Sequence, residues 1–197
     1  MKRMQEKILA EARVLPGGVI QVGSFLNQQI DTVFLKEIGE EIASLFRDSG
    51  ATKILTVESS GIAIGVAAGM AMELPVVFAK KSRTSNVAGE IYTSLVHSFT
   101  HDVDNHVMVS KEYLPEGEKI LIVDDFLAHG SALNGLIAIA EDAKCEVVGC
   151  CAVIEKGFQS GGDNLRARGY RIESLAILDD ITEEAITFRD ENELPEF

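Results

Sequence analysis

The fold is constrained most by an aliphatic run that ends in two carboxylates and a turn of small residues. Ile120–Val123 is followed by Asp124 and Asp125, and the turn leads into the apolar stretch 133–140. Four consecutive aliphatic residues are typical of a strand buried on both faces, as in the parallel sheets of α/β proteins. This stretch therefore predicts a buried strand, a turn and a helix.

The predicted turn has the composition of an anion site. Small residues at 128, 130, 131 and 132 let backbone N–H groups approach a phosphate, and the following helix brings roughly +0.5 charge to its N-terminus. Asp124 and Asp125 can accept sugar hydroxyls or share a divalent cation, and strand alternation prevents both from pointing the same way. A plain strand end followed by a helix cap would have a similar composition, so this alternative stays open.

The same pattern of strand, turn and helix recurs along the chain. Buried strands are predicted at 53–58, 75–81, 147–154 and 172–178, with helices at 2–13, 31–48, 62–72, 133–144 and 163–169 between or before them. Alternation of this kind predicts an α/β fold with a central, mostly parallel sheet flanked by helices. We expect one domain over residues 1–197, with its core at 31–180.

Two segments lack the pattern of the core. Residues 1–30 end in a short strand and a polar loop, which indicates a hood or lid over a pocket or, alternatively, a plain packing arm. Residues 82–110 are predicted to form a flexible flap, with an antiparallel pair at 90–98 and 106–110 and no core pattern of its own.

Composition excludes several classes of protein. A net charge of −13 argues against a nucleic-acid surface, and no stretch approaches the roughly 20 apolar residues of a membrane span. The polar N-terminus lacks a signal-peptide core, so we expect a cytoplasmic protein. The three cysteines are interpreted as small buried hydrophobes, and the four histidines show no metal-ligand spacing.

Residues 120–133 resemble the ribose-phosphate signature of type I phosphoribosyltransferases. Ala128 and Ala132 stand where threonine is usual and His129 lies inside the loop, a variant similar to that of bacterial xanthine phosphoribosyltransferases. Shorter resemblances, in the same order, cover 24–27, 58–62, 75–79 and 153–156. The resemblance implies a type I phosphoribosyltransferase fold with a small hood.

The implied activity is transfer of the 5-phosphoribosyl group from phosphoribosyl pyrophosphate (PRPP) to N9 of xanthine, giving xanthosine monophosphate and pyrophosphate. Mg²⁺ would accompany PRPP, without a confident set of protein side-chain ligands. Asp124 and Asp125 would be the catalytic residues that hold the ribose hydroxyls. PRPP would also be bound by Ala128, His129, Gly130, Ser131, Ala132, Ser59, Ser60 and Lys81.

Lys81 belongs to a basic cluster with Lys80 and Arg83. The resemblance implies that Lys81 reaches the pyrophosphate across the interface of a homodimer. The alternative is that the cluster is simply a solvated basic edge. For the base, the resemblance implies Ile20, Asn27 and Lys156, with Phe158 stacking on the purine. Lys156 would donate to O6, although strand-end lysines are more often simply solvated.

Three alternatives remain from sequence. The first is a regulator that binds PRPP without catalysis. The second is a phosphoribosyltransferase that prefers guanine or hypoxanthine to xanthine, and the third is another kind of nucleotide-binding module. The first lacks an added nucleic-acid-binding domain or basic face, and the last lacks a glycine-rich nucleotide motif.

Overall fold

The computed structural model describes residues 1–81, 89–98, 103–182 and 184–190, without the side chains of 96–98 and 103–105. Five α-helices lie in this part of the chain. They are α1 (Lys2–Glu11), α2 (Thr32–Phe46), α3 (Ser60–Met72), α4 (Ser131–Asp142) and α5 (Gly161–Ala167). The carboxylate of Asp31 caps α2 by accepting a hydrogen bond from the backbone N–H of Phe34 at 3.1 Å.

The strands form one large sheet and two hairpins. The strands are β1 (Arg13–Leu15), β2 (Val19–Gln21), β3 (Lys53–Val57), β4 (Val76–Ala79), β5 (Ile91–Ser98), β6 (Val103–Ser110), β7 (Lys119–Leu127), β8 (Glu146–Lys156), β9 (Ile172–Ile181) and β10 (Ile186–Phe188). The six-stranded sheet has the order β10-β9-β8-β7-β3-β4, and the hairpins are β1-β2 and β5-β6.

The large sheet is parallel except at one edge. Strands β4, β3, β7, β8 and β9 pair in parallel, and β10 pairs antiparallel with β9. The predicted mostly parallel α/β sheet is therefore confirmed. The sequence did not predict β1 and β10, which are only three residues long. It also predicted that β7 ends at the aspartates, whereas the strand continues through both of them to Leu127.

Each face of the sheet has its own hydrophobic core. One core includes Met4 of α1, Ile38 of α2 and Ile64 of α3, and the other includes Leu136 of α4 and Val107 of β6. Residues 121 and 123 of β7 belong to the first core, while 120 and 122 belong to the second. The alternating side chains of one aliphatic run thus join two layers of helices.

The N-terminal segment packs into the first core. Met4 and Ile8 are fully buried, and the amino group of Met1 donates to the carbonyl of Leu175 at 2.7 Å. After β2 the chain forms a π-helical turn at Gly23–Asn27 where the sequence indicated a loop, and Phe25 and Leu26 of this turn are buried.

The predicted flap is only partly separate from the core. Its residues 82–88 and 99–102, including Arg83, lie outside the described residues. Val107, Met108 and Val109 are buried, and a bridge between Lys80 and Met108 joins β6 to the chain that leaves β4. The expectation that this segment lacks a core pattern was wrong for β6, because its apolar residues cover the second face of the sheet.

Two of the three cysteines fit their interpretation as buried hydrophobes. Cys150 and Cys151 are buried on β8, and burial raises the pKa of the Cys150 thiol to about 12. Cys145 is only partly buried. Among the described residues, no helix combines the length and apolar composition needed to cross a bilayer.

Candidate active site

The carboxyl ends of the central strands define the candidate site. Strand β3 pairs on one side with β4, its successor in the chain, and on the other with β7, after which the chain proceeds to β8 and β9. The order of strands reverses between β3 and β7. In open α/β sheets a ligand crevice lies beyond such a point.

Asp124 and Asp125 lie near the carboxyl end of β7, beside this crevice. Their relative exposures are only 5% and 8%. The backbone N–H of Asp125 donates to Oδ1 of Asp124 at 2.9 Å, and Nδ2 of Asn27 lies 3.4 Å from Oδ2 of Asp125. Asp124 also borders Gly61 of α3. The carboxylate of Asp124 thus faces the start of α3, and that of Asp125 faces the N-terminal segment.

The electrostatic environment favours a proton on Asp124. Burial raises the pKa of its carboxyl well above the ordinary value of 3.8, and the neighbouring Asp125 raises it further. The positive charge of Lys81 acts in the opposite direction. A cation or a set of hydroxyl donors would therefore be stabilised beside this pair.

The loop after β7 leads through Gly130 directly into the N-terminus of α4. Gly130 precedes α4 with φ of +82°, a conformation that favours glycine. Its carbonyl accepts hydrogen bonds from both the backbone N–H and the side-chain amide of Asn134, each at 2.9 Å. Ala128, Ser131 and Ala132 are partly buried and His129 is exposed. The loop 128–132 therefore presents the N-terminus of a 12-residue helix to the crevice.

The loop after β3 approaches the aspartates closely. A side chain at position 61 would place its Cβ 2.3 Å from Oγ1 of Thr56 and 3.0 Å from Oδ1 of Asp124, so only glycine fits. Ser59 is exposed and Ser60, the first residue of α3, is partly buried. The exposed Lys81 is fastened to the same loop, because its backbone N–H donates to Oε1 of Glu58 at 2.6 Å.

Three of the four residues expected to bind the base line two separate cavities, and Lys156 lines neither of these two. Ile20 and Asn27 line one of about 740 Å³ together with Arg13 and Gln21. Phe158, which is 45% exposed, lines another of about 480 Å³ with Arg189.

Lys156 ends β8, and partial burial lowers the pKa of its ammonium group. Asn27 thus contacts the carboxylate pair through Asp125, whereas Phe158 lines a cavity separate from the one that Asn27 lines.

Comparison with known proteins identifies the family. The phosphoribosyl transferase domain family matches residues 27–185. The chain belongs to this family. It is 46% identical over 191 residues to a xanthine phosphoribosyltransferase of Oceanobacillus iheyensis, covering 97% of this chain and 98% of the relative. The corresponding enzyme of Lactiplantibacillus plantarum is 43% identical, with 98% of each chain covered.

Solved phosphoribosyltransferase structures share the fold. The adenine phosphoribosyltransferase of Leishmania tarentolae superposes with a TM-score of 0.74 at 19% identity, covering 91% of this chain and 89% of that one. That of Giardia lamblia gives 0.73 at 18% identity, with 90% and 98% covered. The expected type I phosphoribosyltransferase fold is therefore confirmed, and the chain is a glycosyltransferase by family.

This phosphoribosyltransferase also has site-supporting residues that the sequence reading missed. Glu155, which precedes Lys156, is 1% exposed and forms a bidentate ion pair with Arg166 of α5 at 2.7 and 2.8 Å. The hydroxyl of Ser174 on β9 also donates to Glu155. The spacing of these residues in the sequence does not predict the pairs, because the partners lie on different helices and strands.

The same ion-pair network continues behind the Lys156–Phe158 turn, because Arg166 also donates to Oδ1 of Asp163 at 3.3 Å. The guanidinium of Arg189 binds Oδ1 of Asp179 at 2.8 Å and Oδ1 of Asp163 at 3.1 Å. A side chain at position 157 would place its Cβ 2.6 Å from both Arg189 and Asp179. The short turn after β8 is thus held against β9 and the segment that follows β10.

The carboxylates fit the Mg²⁺ that the family implies. No group of three or more His, Cys, Asp or Glu side chains able to hold a metal occurs among the described residues. Mg²⁺ keeps several waters and is commonly bound by one or two carboxylates together with substrate phosphates. Asp124 and Asp125 would meet that requirement only when a phosphorylated substrate completes the coordination.

Proposed function

We propose that the protein is a xanthine phosphoribosyltransferase that transfers the 5-phosphoribosyl group of PRPP to N9 of xanthine. The observation that carries the proposal is the similarity to enzymes of that name, at 43–46% identity over nearly the whole chain. Asp124, Asp125 and the loop 128–132 at the sheet's switch point support it, since together they suit a phosphorylated sugar.

In this proposal the two loops of the crevice hold opposite ends of PRPP. The backbone N–H groups of 128–132 and the hydroxyl of Ser131 bind the 5-phosphate, and the loop of Ser59 and Ser60 binds pyrophosphate. Asp124 and Asp125 bind the ribose hydroxyls and stabilise positive charge that develops on the ribose as pyrophosphate departs. When bound, Mg²⁺ neutralises charge on the departing pyrophosphate.

The base is proposed to bind between the N-terminal segment and the turn after β8. Lys156 donates to O6 of the purine, and Phe158 stacks on its ring. Lys156 excludes adenine, whose 6-amino group is a donor, but it does not separate xanthine from guanine or hypoxanthine. Asn27 supplies a donor at position 2, and Ile20 packs on the edge of the ring.

A panel of bases tests this function. Xanthine, guanine, hypoxanthine and adenine are each supplied with PRPP and Mg²⁺, and pyrophosphate release is measured. A mismatched buried donor costs about 1–3 kcal/mol, so we expect xanthine to exceed guanine in kcat/KM by roughly 10- to 100-fold or more. A preference for guanine or hypoxanthine would overturn the xanthine assignment but leave the phosphoribosyl transfer.

We also propose that the protein is a homodimer in which Lys81 reaches the pyrophosphate of the neighbouring subunit. The support is the exposed position of Lys81 beside the loop of Glu58 and Ser59. Mixing inactive Lys81→Ala and Asp125→Asn proteins should restore some activity, because a hybrid dimer contains one intact composite site. No recovery despite demonstrated subunit exchange would place Lys81 outside the partner's site.

Two segments are proposed to cover the site. Residues 1–30 form the lid of the base pocket, which Ile20 and Asn27 line, and the described part of the flap, 89–98 and 103–110, lies above the site. Residues 31–180 carry most of the core of the single domain, and residues of α1, β2 and β10 all pack into the first core.

A further inference from the structure

The loop 128–130 is packed against the start of α5 without room for a side chain. A Cβ at position 161 would lie 2.2 Å from the carbonyl oxygen of Ala128, 2.6 Å from the carbonyl carbon of His129 and 2.7 Å from the backbone nitrogen of Gly130. All three are backbone atoms, which cannot rotate away as a flexible side chain can. Gly161 is itself buried. Its lack of a side chain therefore allows the loop to take its present position.

A separate contact anchors α5 from the other side. Arg166 of α5 forms a bidentate pair with Glu155, and the exposures of the two side chains are only 8% and 1%. Nε of Arg166 also donates to the carbonyl of Ile172 at 3.3 Å. A Cβ at position 162 would lie 1.9 Å from Oε1 of Glu155. The helix is thereby fixed to β8 and β9, and it cannot retreat freely from the loop.

We propose that Gly161 is a positioning residue for PRPP: it seats the loop 128–130 against an α5 anchored by the Glu155–Arg166 pair, and so fixes the backbone donors for the 5-phosphate. The proposal rests on the phosphoribosyl transfer proposed above. It assigns different roles to two adjacent glycines, because position 161 faces the loop, whereas position 162 faces the buried ion pair.

Gly161 and Gly149, which are both buried and both without room for a Cβ, provide a matched test. In Gly161→Ala, the loop or the helix must move by about 1 Å, and a displacement of that size can cost on the order of 100-fold in rate. We expect KM for PRPP to rise at least about tenfold, with KM for xanthine changed less than threefold. Gly149→Ala, near the opposite end of β8, should lower Tm because its Cβ would lie 2.5 Å from the ring of Phe46, while KM for PRPP in the folded fraction stays within about threefold of wild type.

Three measurements separate the outcomes. Steady-state kinetics give the two KM values, calorimetric titration of PRPP with Mg²⁺ gives its Kd without turnover, and thermal unfolding gives Tm. An unchanged KM and Kd for PRPP in folded Gly161→Ala would overturn the inference, as would equal rises for both glycine variants. If Gly161→Ala unfolds at the assay temperature, the PRPP titration is repeated on its folded fraction at reduced temperature, and the same criterion applies.

Failure of this inference is distinguishable from failure of the proposed function. A wild-type protein that neither binds PRPP nor releases pyrophosphate would refute the function itself. An active wild-type enzyme with an insensitive Gly161→Ala variant would refute only the positioning role.

Discussion

The buried acids of β7 and β8 differ in how they are satisfied. Glu155 near the end of β8 has two nitrogens of Arg166 and the hydroxyl of Ser174 as partners. Asp124 and Asp125 on β7 are nearly as buried, but within the described ranges neither forms a salt bridge, and the side-chain amide of Asn27 stands 3.4 Å from Asp125. Acids on neighbouring strands thus differ: Glu155 joins β8 to α5 and β9, whereas the β7 pair is proposed to keep its oxygens for a ligand.

The largest expected effect is a loss of activity when either acid of β7 is replaced. We expect Asp124→Asn and Asp125→Asn each to lower kcat/KM by on the order of 100-fold or more, because each change replaces an oxygen that would accept a ribose hydroxyl with an NH2 donor. Tm should change by only a few degrees, since neither acid completes a structural ion pair. Pyrophosphate release and calorimetry measure the two effects. Near-normal rates in both variants would show that the pair does not bind the ribose.

Removing the cation that pairs with Glu155 should mainly lower stability. Arg166→Met leaves a buried, unpaired carboxylate, so we expect the free energy of unfolding to fall by about 3–5 kcal/mol in urea denaturation. Adding Glu155→Met should restore much of that loss. Lys36→Met is the control, because it removes only an exposed pair with Glu40. Equal stability of Arg166→Met and wild type would remove the structural role assigned to Glu155.

The pH dependence of stability sharpens the comparison for Asp124. Its pKa is raised in the folded state, so its contribution to stability is present at acidic pH and is lost as pH rises through the folded pKa. Asparagine does not titrate, so Asp124→Asn should not lose stability in this way as pH rises. The Tm of the variant minus that of wild type should therefore become more positive from pH 4 to pH 8.

Calorimetry at a series of pH values checks this expectation. Asp48→Asn, which changes an exposed acid, is the control and should shift Tm little at either end of the range. A difference for Asp124→Asn that is constant or falls with pH would contradict the proposed environment of Asp124.

The smallest stability effect is expected at Asn27. Its amide lies 3.4 Å from Asp125, longer than a usual hydrogen bond, so Asn27→Ala should cost less than about 1 kcal/mol. Its effect on the base should be larger: kcat/KM should fall more for xanthine than for hypoxanthine, which has only hydrogen at position 2. Urea denaturation and the base panel measure these effects, and equal losses for both bases would show that Asn27 does not recognise that position.

Local patterns in the sequence were sufficient to predict the central architecture. The aliphatic run before Asp124 predicted a strand buried on both faces, because its alternating side chains have no polar face to give to solvent. The small residues around Gly130 predicted the turn into α4, since positive φ and close backbone approach favour glycine. The resemblance then supplied the roles proposed for these residues.

Only the tertiary structure decided which distant residues meet. Asn27 and Asp125 are 98 positions apart, and Glu155 finds Arg166 and Ser174 on two other elements. The burial of Met108 and the pairing of β10 likewise depend on packing across the sheet. Periodicity reports which face of an element is apolar, but the partner of a polar group depends on how elements assemble, a choice made by long-range packing.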